Sequence, residues 1–137
     1  MGTRSFAIAI VLGTAVAWLS MAAFGYSVAF HPFGRAAERS EWLTPLLQVL
    51  SWLPFVAAGC VTLAYVASAH SYRLAFVAAA SAVLTAVALA LHYAPNMEFL
   101  EVLSIMWLHF LCPLTLFPVF ARLLANRASH RTAYGSR

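Results

Sequence analysis

Lysine and aspartate are missing from this chain, and its acidic residues number only four, all glutamate. Charged residues make up 9% of the 137 positions, against roughly a quarter in an average soluble domain. All eight basic residues are arginine, and most lie between or beyond hydrophobic runs with no interleaved aromatics. That excludes a nucleic-acid surface and leaves membrane orientation as their role. Only two cysteines occur, Cys60 and Cys112, each deep in an apolar run and in no C-x-x-C pair. A dithiol redox motif is therefore absent, and two thiols alone make no zinc site. Their ordinary role is that of small hydrophobic residues. There is also no H-x-x-x-H pair, no G-x-S-x-G nucleophile motif and no glycine-rich phosphate loop.

What the chain has instead is apolar length. Hydrophobic residues make up 64% of it, more than so short a soluble chain could bury, so lipid must be its solvent. The composition fits one membrane domain over 1–137, with spans at about 5–30, 43–69, 74–94 and 100–125. The start of the first run has the pieces of a signal peptide: Arg4, an apolar stretch, then small residues near Ser20 and Ala22. Because the run continues unbroken to Phe30, it reads as an uncleaved first helix. The fold expected is an all-α integral membrane protein, a four-helix transmembrane bundle.

Each run has one face that differs from the rest. In the first, Gly13, Ala17, Ser20, Phe24, Ser27 and His31 recur at spacings of four and three, and all but Phe24 are small or polar. Such a stripe lets a neighbouring helix come close. In the second run Thr44, Gln48, Ser51, Gly59 and Thr62 share an arc, with Cys60 pointing elsewhere, and Pro54 is expected to kink the helix. The third is nearly an alanine helix, in which Ala78, Ala82 and Ala86 continue to Ala90 as a small-xxx-small series suited to a central position. Pro95 ends it at or before Ala94. In the fourth, Glu101, Ser104, His109, Cys112 and Thr115 fall on one side at ~100° per residue. Leu103, Trp107, Phe110, Leu114 and Phe117 fill the other, so the polar side should meet protein and the bulky side lipid. Pro113 and Pro118 are expected to bend this helix, and the segment from Asn126 to Arg137 reads as a polar tail, disordered at its end.

Arg4, Arg73 and the arginines from Arg122 onward then share one side of the membrane, while Glu98, Glu101 and a charge-balanced first loop share the other. The positive-inside rule puts both termini in the cytoplasm, and the setting expected is a bacterial inner (plasma) membrane.

The residue to watch is His109, an imidazole about eight residues, or roughly 12 Å of helix, beyond Glu101. An ionisable group at that depth is a functional-site hypothesis by default. His31, His92, Glu98 and Glu101 belong to the same half of the membrane, so an outward-opening pocket with His109 at its base is geometrically possible. Nitrogen and oxygen ligands of this kind suit a divalent metal, and two histidines can ligate haem. His109 could instead relay protons or bind a polar head group. Three functions stay open. The chain is a non-catalytic transport-type or accessory subunit with a polar interior around His109, homo-oligomeric or part of a membrane complex. Alternatively it is a haem- or metal-binding redox component. The third option is an enzyme acting on a lipid-soluble substrate. For that last class, Glu38-Arg39 followed by Pro45 is similar, over this stretch alone, to the second helix of the small four-span enzymes of eicosanoid and glutathione metabolism. The basic and amide residues that family would imply along the second and third helices are missing, and the resemblance is not carried further.

Overall fold

A computed structural model describes residues 2–29, 40–67 and 72–134. Four α-helices follow one another: α1, Thr3–Ala29; α2, Leu43–Ala67; α3, Tyr72–Tyr93; and α4, Phe99–Tyr134. All four are long and apolar enough to cross a membrane, and the described residues include no strand. This is the expected all-α transmembrane bundle, and the chain is a small integral membrane protein. The ends of the first three helices fall within two residues of the expected spans. The fourth does not stop where its apolar run stops at Ala125 but continues to Tyr134. The segment beyond Ala125 contains neither proline nor glycine before Gly135, so nothing in it breaks the backbone ladder even though its side chains are polar.

α1 packs against α2 and α3, and so does α4, while α1/α4 and α2/α3 face each other across the diagonals. Consecutive helices run in opposite directions, so the pairs α1/α3 and α2/α4 are parallel. The α2/α4 pair keeps one register throughout. Gln48 Nε2–H donates to the Ile105 carbonyl, Trp52 to His109 and the Cys60 thiol to the Phe117 carbonyl, each across a separation of 57 residues.

The α1/α3 seam depends on small residues. Ala78, Ala82 and Ala86 are fully buried, and α3 is the most enclosed of the four spans. A Cβ at Gly13 would run into the carbonyl oxygen of Ala78, so only glycine allows the two backbones to approach this closely. A hydroxyl ladder lies beside that contact. Ser81 O–H donates to the Ile10 carbonyl at 2.9 Å, so Thr14 is the donor in its 3.0 Å contact with Ser81 Oγ. Thr85 O–H donates to the Ser81 carbonyl at 2.8 Å.

The face assignment for α4 needs correction. Of the expected polar side only His109 and Cys112 are buried; Glu101, Ser104 and Thr115 are exposed. Phe110 and Phe117, expected to face lipid, are buried, Phe117 completely. Cys60, expected to point away from the packed face of α2, is buried too. The reason is local. Ser104 O–H donates to the Glu101 carbonyl and Thr115 O–H to the Leu111 carbonyl, so neither hydroxyl needs a partner from another helix. Phe110 and Phe117 turn inward, while Leu103, Trp107 and Leu114 stay exposed as expected. Pro54, Pro113 and Pro118 lie inside continuous helices. Each lacks the N–H that would reach the carbonyl four residues earlier, which for Pro113 is the carbonyl of His109.

Candidate functional site

His109 is 0% exposed. The shared register of α2 and α4 brings Trp52, also 0% exposed, level with it, and the indole Nε1–H donates to His109 Nδ1 at 2.8 Å. From across the diagonal, α1 contributes Phe24, whose ring meets the imidazole edge-on at a centroid distance of 4.7 Å and an interplanar angle of 67°. One turn earlier along both parallel helices lies the Gln48–Ile105 bond, and Ser51 O–H is held by the Gln48 carbonyl at 2.7 Å. Trp52, Val56, Pro113 and Phe117 are, like the histidine, all fully buried and fill the interior.

This geometry fixes the chemistry of the ring. An indole nitrogen can only donate, so His109 Nδ1 must offer a lone pair. A neutral imidazole has one such nitrogen, and the proton therefore sits on Nε2. Among the described residues, His109 Nε2 and Ser20 Oγ are the two buried side-chain polar atoms with no hydrogen-bond partner. As held, the ring has no free lone pair for a metal or haem iron, because its single lone pair is used by Trp52. Nor can it pass a proton from one nitrogen to the other, because the indole at Nδ1 does not take part in such an exchange.

The other sequence candidates are placed elsewhere. His92, at the end of α3, is exposed and edge-on to Tyr93 at 5.2 Å. It lines an open groove between α1 and α3 that includes Trp18, Leu84 and Thr85. Glu98 and Glu101 are exposed at the start of α4, where the Glu98 backbone N–H donates to Glu101 Oε2 at 3.3 Å. That is the reach-back half of a capping box, a helix-starting role. His31 lies outside the described residues. Among those described, no group of three or more histidine, cysteine or acidic side chains could hold a metal ion.

Sequence reasoning missed Trp52 as the partner of His109. The signal was present: Trp52 lies nine residues into α2, about 14 Å of rise, well inside the interfacial level where tryptophan usually sits in membrane proteins. A buried indole N–H needs an acceptor. In a lipid-facing sequence with few acceptors, an imidazole is among the few that can serve.

The fold and site define a class: a four-span membrane bundle whose interior is closed by a tryptophan–histidine pair. Compared with family models, curated proteins and solved structures, the chain matches none.

Proposed function

We propose that this chain is a non-catalytic accessory subunit of a membrane complex, with both termini cytoplasmic, in a plasma membrane of the bacterial inner type. The observation that carries the reading is the sealing of His109: fully buried, bonded through Nδ1 to Trp52 and capped by Phe24. A catalytic imidazole must reach its substrate, and a transport path along the axis would meet Trp52, Val56 and Phe117, all fully buried. Both facts favour an interior that holds helices together over one that handles a solute or a lipid-soluble substrate. The redox alternative requires His109 to give up its bond to Trp52, and His92, a second histidine of the same half, is exposed at the end of α3. The orientation is supported by Arg4, Arg73, Arg122 and Arg127, which lie at one end of the bundle.

The test is to extract the tagged full-length chain from its native membrane in mild detergent and to record its mass, partners, absorption spectrum and metal content. The expected result is a colourless assembly with a stoichiometric partner or second copy that survives His109→Gln. A Soret band, or a monomer whose turnover of a lipid-soluble substrate is lost in a folded His109→Gln variant, would overturn the reading.

A further inference from the structure

Charge is uneven along the bundle axis. α1 and α3 begin, and α2 and α4 end, at the same face, where Arg4, Arg73, Arg122 and Arg127 lie. No glutamate among the described residues is there; Glu41, Glu98 and Glu101 lie at the opposite end. In the arginine-bearing half, a groove of about 250 Å³ runs between α2 and α4, lined by Ala57, Val61, Phe120, Leu123, Leu124 and Arg127. Its walls are single helical stripes, since Ala57 and Val61 are a turn apart and the α4 residues follow at three, four and seven. Along α4 the lining runs from Phe120 to Arg127, about 11 Å of rise, most of the depth of one leaflet, about 15 Å in a hydrocarbon core about 30 Å thick.

All its lining is apolar until the last position, which is a guanidinium. Arg127 is exposed, and no ion pair among the described residues neutralises it. A partner helix about 10 Å across would not fit so small a volume, whereas an acyl chain would. A guanidinium presents a fork of donors that matches a phosphate and keeps its charge at any physiological pH.

We propose that this groove is a binding site for an anionic phospholipid, with one acyl chain along the α2/α4 seam and the headgroup phosphate on Arg127. Basic positions at the edge of a membrane helix pair recognise headgroups in this way. Arg122 is a built-in comparison. It carries the same charge at the same end of α4, but it lies about 140° around the helix from Arg127 and does not line the groove.

The experiment uses native mass spectrometry of the full chain in mild detergent, with dioleoyl-phosphatidylglycerol or dioleoyl-phosphatidylcholine added at equal concentration. The wild-type chain is expected to retain one phosphatidylglycerol, and phosphatidylcholine, whose phosphate is already balanced by its own choline cation, about fivefold less well. Arg127→Gln should lose that preference and Arg122→Gln should keep it. Val61→Phe, which fills the groove without altering charge, should weaken retention of phosphatidylglycerol. Far-ultraviolet dichroism establishes that each variant is folded. Equal retention of the two lipids by wild type, unchanged retention in Arg127→Gln or Val61→Phe, or an equal loss in Arg122→Gln would overturn the assignment.

Discussion

Trp52 gives its one indole proton to Nδ1 of His109 across 2.8 Å, and by doing so determines which nitrogen of the imidazole carries hydrogen. Both side chains are completely buried, so neither has water as a substitute partner. Trp52→Phe should cost about 1 kcal/mol, within the range of interhelical hydrogen bonds in membranes. A double-mutant cycle with His109→Phe, read by unfolding in a denaturing detergent, should show coupling of similar size. Long-range proton–nitrogen spectra should place the proton of wild-type His109 on Nε2.

Gly13 and Gly25 make a paired comparison on α1. A methyl group at Gly13 meets the backbone of Ala78, whereas one at Gly25 has nothing within 4 Å. Gly13→Ala should destabilise the bundle by about 2 kcal/mol through overpacking. Gly25→Ala should be neutral or stabilise it by up to about 1 kcal/mol through helix propensity. The same unfolding titration measures both.

Ser20 and Ser81 should respond oppositely to loss of the hydroxyl. Ser20 Oγ is buried with no partner, while Ser81 bonds to the Ile10 carbonyl on the neighbouring helix. Ser20→Ala should leave stability unchanged or raise it by about 1 kcal/mol, because an unpaired buried polar group is removed. Ser81→Ala should lower stability by about 1 kcal/mol.

Cys60 and Cys112 are free thiols with 4% and 5% exposure, so a membrane-impermeant maleimide should leave both unlabelled in the folded protein. That silence makes the natural chain a background for mapping orientation. In intact cells Asn96→Cys, in the exposed turn between α3 and α4, should label from outside. Gly2→Cys should label only after the membrane is opened. The reverse pattern would invert the proposed topology.

The helices were legible because each apolar run is long, and Pro95 closes α3; the end of α4 was not, because no breaker follows Ala125 and the helix runs on. The alanine series of α3 and, on α1, Gly13, Ala17 and Ser20 are buried, in keeping with small residues spaced for close helix contact. The inward side of α4 did not read correctly. A helical wheel treats every hydroxyl as seeking protein, yet Ser104 and Thr115 bond to their own helix and tolerate exposure. The partner of His109 was hidden for a related reason. Tryptophan counts as bulk in a hydropathy pattern, and its single N–H becomes visible only once the register between α2 and α4 is known.

The parallel pairing of α1 with α3 and of α2 with α4 has a consequence for biogenesis. Helices that follow one another in the chain are not the ones whose polar groups match. When the first hairpin has entered the bilayer, the amide of Gln48, the indole of Trp52 and the hydroxyl of Thr14 still await acceptors that the ribosome has yet to translate. The early half of this protein is thus an incomplete object in lipid, held in waiting until its later half is delivered beside it.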